Sequence, residues 1–266
     1  MLDLPRSVRL ALWGTAVLGD RVTAVDAVEA VTGADEPHTA EGDDVLPLRD
    51  DGTVLTDLLG QLHAGCAGLR AVLPVPGDVL GLPGPRAVNE LALDAGEAVV
   101  TVPRVPGEAV WALVPLVTVF GSELEPGAAV HWRVQRTAGL AATDFAGLSE
   151  AERALRTALV ESTEALTALD VARWRDDAAD RIAMVRDGGL PRGAVPSGTP
   201  GRVVRVLSTA ARVRAIVALA TEDDGAAVTG YDAAGRARSL REVDRVARRA
   251  MVAACDPAAV QQAASP

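Results

Sequence analysis

The sequence predicts an α+β protein: a small mixed sheet with flanking helices, followed by a C-terminal helical bundle. Three observations lead there. Short apolar and alternating runs bounded by Pro and Gly cluster between residues 65 and 137. Helical periodicity precedes them, and from residue 149 onward the periodicity is helical almost throughout. The division expected is an α+β domain over residues 1–145 and a helical region over 146–266, the latter interrupted by a Gly/Pro linker at 187–201.

The elements follow in order. Residues 5–18 and 24–31 read as a helical hairpin: Gly19 stops the first helix, Thr23 caps the second with Asp26 three residues on, and Gly33 ends it. Residues 33–52 are acidic and rich in turn formers, so an exposed loop is expected there. Leu55, Leu58, Leu59 and Leu62 share one face of a short helix over 53–63. Residues 69–75 form an apolar run consistent with a buried strand; Pro85 then suits the start of a helix that ends at Gly96. Residues 97–102 and 110–120 read as strands, with Pro115 demanding an edge or bulge. Residues 130–136 alternate cleanly, with Val130, Trp132 and Val134 on one face and His131, Arg133 and Gln135 on the other. In the C-terminal part, Ser149/Glu152 and Ser239/Glu242 have the spacing of capping boxes, and an amphipathic helix spans 202–221. The apolar phase slips near 170–174, where a bend or break is expected.

Composition excludes several function classes. The chain of 266 residues carries a net charge of −10, which opposes generic binding to nucleic acid or anionic membrane. The first hundred residues hold 6 Arg against 16 acids, whereas residues 200–266 hold 10 against 7. All 26 basic residues are Arg. Without a Lys there is no Schiff-base or pyridoxal-phosphate chemistry, no standard P-loop, no kinase strand Lys and no Ser-x-x-Lys acyl enzyme. Arg cannot substitute as a nucleophile, because it stays protonated. Asp3 interrupts the N-terminal apolar run, no stretch has the length of a membrane span, and Cys66 and Cys255 sit in no pairing motif. A cytoplasmic protein without a disulfide framework is the expectation.

Four constellations could carry chemistry. Residues 74–90 place a glycine-bearing loop before a helix, with Asp78, Gly81, Gly84, Arg86 and Asn89 as potential contacts. A helix N-terminus favours anions and Arg86 adds a forked donor, although the spacing is neither a dinucleotide nor a P-loop fingerprint. The alternative is a rigid connection whose glycines serve only its turns. The second is the polar strand face of His131, Arg133 and Gln135, joined by Arg104; a His among arginines is pushed toward its neutral form. An ordinary half-exposed sheet face gives the same pattern. The third, His63-x-x-Cys66, lacks two further ligands at useful spacing, so no metal is expected. The fourth is the Arg rows 202/205/212 and 241/245/248, which suit an acidic partner or internal pairing; the absence of interleaved aromatics disfavours single-stranded nucleic acid.

The stretches DVLGLPGP (78–85), LDVARW (169–174) and REVDRVARRAMVAAC (241–255) resemble a family of functionally uncharacterised proteins from high-GC bacteria. The resemblance implies no activity, cofactor or site residue. The leading expectation is therefore a non-catalytic interaction or regulatory protein that self-associates through apolar helix faces, with no cofactor. The alternatives are a binder of, or enzyme on, a small anionic ligand at the 77–86 loop, and an accessory to nucleic acid acting through the C-terminal arginines.

Overall fold

In the computed structural model, residues 2–42, 53–79, 81–122, 124–138, 147–168, 185, 188–221 and 230–264 are described. Two compact units emerge. One comprises Pro5–Phe145, Gly193–Thr199 and Cys255–Pro266; the other comprises Met1–Leu4, Ala146–Arg192 and Pro200–Ala254.

The first unit is built on a six-stranded mixed sheet of order β2-β1-β6-β5-β4-β3, with β1 Thr39–Gly42, β2 Thr53–Val54, β3 Cys66–Val72, β4 Ala98–Pro103, β5 Val110–Gly121 and β6 Pro126–Thr137. β1 and β6 run parallel, and the other pairs are antiparallel. β1 comes from the stretch expected to be a loop, so 39–42 is a strand, and β2 takes the first two residues of the expected 53–63 helix, which starts at Leu55; residues 43–52 lie outside the described part. Four helices accompany the sheet: α1 Arg6–Leu18, α2 Ala24–Thr32, α3 Leu55–His63 and α4 Arg86–Ala95. Thr23 caps α2 as the sequence indicates, its hydroxyl accepting the Asp26 N–H.

Alternation divides the sheet into two faces. Leu69, Ala71, Val99, Leu113, Trp132 and Val134 are buried on one, where α1 packs on β3. α4 covers part of the other, setting Ala92 with Leu91 and Ala95 against Ala98, Val114 and Leu116. Pro115 sits inside the sheet opposite Trp132, but β4 pairs with β5 only at Val99–Leu113 and Val100–Ala112. By Pro115 the β4 side of β5 carries no ladder, so the missing N–H breaks none there.

β3 ends the sheet, and its outward backbone groups are covered without another strand. The Thr15 hydroxyl of α1 accepts the Leu69 N–H at 2.9 Å and donates to the Leu69 carbonyl at 3.2 Å. The returning chain covers the rest. Asp256 accepts the Ala258 N–H at 2.9 Å at the start of a further helix, α8 Pro257–Ala264 (α5–α7 belong to the second unit below). Its other carboxylate oxygen lies 2.6 Å from Arg70 Nε on β3. Pro257 packs over Gly68 so closely that a Cβ there would stand 2.6 Å from the proline ring.

The second unit packs α5 Leu148–Ala168 and α6 Gly201–Thr221 against α7 Gly230–Ala254. Leu155 of α5, Val206, Leu207 and Ala210 of α6, and Ala247 and Met251 of α7 are all buried. Neither capping box operates as one. The helix begins at Leu148 with Gly147 accepting the first N–H groups, while Ser149 and Glu152 both receive Arg202. Ser239 lies well inside α7, where its hydroxyl donates back to the Gly235 carbonyl. The phase slip near 170–174 falls outside the described residues.

Burial pushes the Cys255 thiol up to about 12, against the opposing pull of the Ala71 backbone, and burial likewise raises Cys66. Only the thiolate reacts, so at pH 8 roughly one Cys255 in 10⁴ is competent. Iodoacetamide should leave native Cys255 unmodified over hours and label both thiols rapidly in guanidinium. Mass spectrometry of peptides checks it; rapid native labelling of Cys255 contradicts this account of the return segment.

Candidate functional site

The anticipated loop is closed largely upon itself. Val75 and Asp78 exchange backbone hydrogen bonds, and Gly77, Gly81 and Gly84 take the positive φ that only glycine adopts cheaply. The Asn89 carboxamide accepts the Gly84 N–H at 2.8 Å, and Thr137 of β6 donates to the Gly84 carbonyl. Arg86 projects into solvent with 91% of its side chain exposed and pairs with Glu90 one turn on at 2.6 Å. The first turn of α4 has no side-chain cap. Such an exposed pair contributes under about 1 kcal/mol.

His131 and Arg133 lie elsewhere, about 20 and 14 Å from Thr137 along β6 at roughly 3.4 Å per residue. The structure brings them together with two residues the sequence reading left in a loop. The Thr39 hydroxyl is 2.9 Å from His131 Nδ1, and Glu41 stands between His131, at 3.3 Å, and Arg133, which donates to it. The Arg133 hydrogen bond holds the Glu41 carboxyl below its usual range. Arg104 is not part of this face: it donates to the Leu18 carbonyl at 2.8 Å and the His63 carbonyl at 3.3 Å. His63 faces Asp20 at 3.0 Å, and Cys66 is buried. The C-terminal arginines find acids in their own unit: Arg202 with Glu152, Arg214 and Arg248 with Asp244, Arg245 with Glu242.

Beneath β1 lies a polar chain that sequence reasoning missed. Trp132 Nε1 donates to His38 Nδ1 at 3.2 Å; His38 Nε2 lies 3.2 Å from Asp35, which takes two bonds from Arg6 at 2.7 and 2.8 Å. An indole N–H can only donate, so Nδ1 must accept and Nε2 carries the proton given to Asp35. Burial lowers the His38 pKa despite Asp35. Burial pushes Asp35 up, but hydrogen bonds from Arg6 and His38 outweigh it, and its pKa is lowered. The signal available was the alternation of His38 and Ala40, both buried, within an otherwise acidic stretch.

The feature least accounted for by the fold is the far half of the β5–β6 hairpin. The two strands pair from Val110–Thr137 to Gly121–Pro126, while β4 accompanies them near Val99–Val100, β1 at 131–134, and the Glu36 N–H at the Ala128 carbonyl. The rest projects as an arm. Val117 (40%), Val119 (73%), Phe120 (46%) and Leu124 (93%) are exposed on it. The Phe120 ring lies across Gly127 on the opposite strand, where any Cβ would stand 2.4 Å from it. Residues 110–122 and 126–130 contain no charge.

Comparison with known proteins places these features in a family. The model described as "Rv1486c-like protein, N-terminal domain" matches residues 7–145, and "Rv1486c-like protein, C-terminal domain" matches 149–252. Uncharacterized protein Rv1486c of Mycobacterium tuberculosis is 34% identical over 244 residues, covering 80% of this chain and 82% of its own. Uncharacterized protein ML1804 of Mycobacterium leprae is 30% identical over 250 residues, covering 81% and 84%. No solved structure matches the chain.

The polar chain should make the first unit sensitive to acid. With both folded pKa values depressed, the unfolded chain binds protons first. Stability is full above the unfolded His pKa of 6.5 and falls as pH drops below it, then falls again below 3.8 as Asp35 resists protonation. Urea midpoints followed by Trp fluorescence from pH 8 to 5 should decline in wild type. In His38→Phe that decline should flatten, while the midpoint at pH 8 drops because the Trp132 and Asp35 groups lose a buried partner, roughly 1–3 kcal/mol. An unchanged pH slope in the variant contradicts the assignment.

Proposed function

We propose that this chain, which belongs to the Rv1486c-like protein family, is a non-catalytic cytoplasmic interaction protein that self-associates through its β5–β6 arm. The observation carrying the reading is the exposed arm, free of charge over 110–122 and 126–130, with Glu123 and Glu125 between those stretches in sequence. It holds four of the nine large apolar side chains exposed among the described residues, while only Val25 and Val160 of that set lie on helices. The apolar faces of the described helices are occupied by each unit's own core, which is why the contact moves from the helix faces to the hairpin.

Two arguments favour a second copy as the occupant. A chain of net charge −10 repels its own kind, and the repulsion is least where neither surface carries charge. Beyond Pro115, β5 also offers a strand edge without a β4 partner, and antiparallel pairing of one edge with its own symmetry mate satisfies both copies at once. Two free cysteines suit a reducing compartment, and no described helix is long and apolar enough to cross a membrane.

Light scattering after size exclusion, at about 50 µM, should give wild type twice the chain mass. The double substitution Val117→Glu, Val119→Glu should give the single-chain mass with an unchanged melting temperature. Each Val→Glu forfeits roughly 1.5–3 kcal/mol of apolar burial, so association should weaken about 100-fold or more. A monomeric wild type, or a double variant that still associates, overturns the proposal.

A further inference from the structure

Two histidines flank the start of β1, and a second ring proton has opposite consequences for them. His131 Nδ1 lies 2.9 Å from the Thr39 hydroxyl, which can donate to a bare nitrogen or accept from a protonated one. Its Nε2 faces the Glu41 carboxylate at 3.3 Å, and a charged ring pairs with that acid better than a neutral one. His38, one residue before Thr39, has no such freedom. Trp132 Nε1 lies 3.2 Å from its Nδ1 and can only donate, while its Nε2 gives its proton to Asp35. A second proton therefore has to sit on Nδ1, directly against the indole N–H. The His38 side chain is wholly buried, so neither hydrogen finds water instead.

The surroundings of His38 resist that proton too. Asp35 draws it, but this carboxylate already takes two bonds from Arg6, and Arg6 and Arg9 of α1 both oppose another positive charge. α3, which also meets β1, turns Leu55, Leu58 and Leu59 inward and keeps Asp57 exposed. The Arg133–Glu41 pair and His131 sit on the face of β1 and β6 opposite Trp132. Burial is the largest influence, and it lowers the His38 pKa. With β1 off the sheet the ring meets water, and its pKa returns toward 6.5. The detached segment thus binds the proton more readily than the docked one, and falling pH favours detachment.

We propose that the Trp132–His38 bond is a proton-released latch on β1: when His38 takes its second ring proton, residues 38–42 leave β6 while the rest of the sheet stays paired. What else holds β1 is slight. Its ladder with β6 is four residues long, Ala40 alone is buried among 39–42, and β2 pairs with two residues on its far side. β5 and β6 pair from Val110–Thr137 to Gly121–Pro126, and β3 pairs with β4 where α1 packs. β1 takes no part in either ladder. Release bares the β6 edge at 131–134 and the Trp132 ring, which is wholly buried while the latch is closed. The acid weakening described above belongs to complete unfolding of the unit; the latch opens short of it.

Hydrogen–deuterium exchange of the full chain, read as protection factors at about pH 7 and about pH 5, tests the latch. Protection over 38–42 should fall about tenfold or more, since one added proton shifts the opening equilibrium by up to about tenfold per pH unit below 6.5. Amides of the β3–β4 ladder should keep theirs. His38→Gln supplies a carbonyl for Trp132 and an N–H for Asp35 but cannot titrate, so the fall over 38–42 should vanish in it. His131→Gln should show the wild-type fall, because the Thr39 contact tolerates either protonation state. The proposal is overturned if wild-type protection over 38–42 does not change with pH, or if the β3–β4 amides lose theirs in step with it. It is equally overturned if the fall survives His38→Gln or disappears in His131→Gln. Should His38→Gln not fold, the wild-type comparison and His131→Gln still decide.

Discussion

The indole N–H of Trp132, handed to a neutral His38 and through it to Asp35 and Arg6, is the interaction on which the β6 side of the sheet depends. The segment it holds has little else to recommend it as sheet. Between 35 and 42 only Ala40 and His38 are buried, and the β1–β6 ladder is four residues long. Burying an imidazole and a carboxylate is costly unless each polar atom finds a partner, and here each does. β1 then covers β6 over 131–134, and the Glu36 N–H extends that cover to the Ala128 carbonyl at 2.8 Å.

Charge follows the same local logic. The acidic first hundred residues and the Arg-bearing C-terminal helices invite the thought of one half neutralising the other. Among the described residues the first unit holds Arg6–Asp35, Arg70–Asp256 and Arg133–Glu41, and the second holds Arg202–Glu152 and the Arg214–Asp244–Arg248 fork. Most are partly exposed and contribute modestly. Arg248, only 4% exposed, differs in kind: Asp244 accepts from a guanidinium held in the interior, where a charge-assisted bond counts for more.

Legibility in the sequence tracked how much of an element's signal is its own. The α2 cap, the leucine face of α3, the helix begun after Pro85 and the alternation around Trp132 are local patterns, and each reappears in place. β1 was hidden because its reason for being a strand is a histidine bonded to a tryptophan far along the chain, with Thr, Glu and Gly filling the remaining positions. The capping boxes misled for a related reason. Ser and Glu three apart satisfy a helix start equally well on paper, but Arg202 claims the first pair and the second is absorbed by a helix already under way. Of the candidate sites, the 77–86 loop and the His131–Arg133 face were visible as residues, whereas their separation, Glu41 between the latter pair, and the Trp132–His38 bond required knowing which strands meet.

The return of residues 255–264 to β3 carries a consequence for synthesis. Gly68, Leu69 and Arg70 leave the ribosome early, after α1–α3, β1 and β2, with α4 and β4–β6 following soon behind. Their cover of Cys255, Asp256 and Pro257 is made only after the described helices of the other unit have been translated. Throughout that interval the nascent first unit presents a strand edge without its returning segment, the Thr15 hydroxyl holding the Leu69 backbone. The order of translation thus makes the amino-terminal unit the last of the two to be finished.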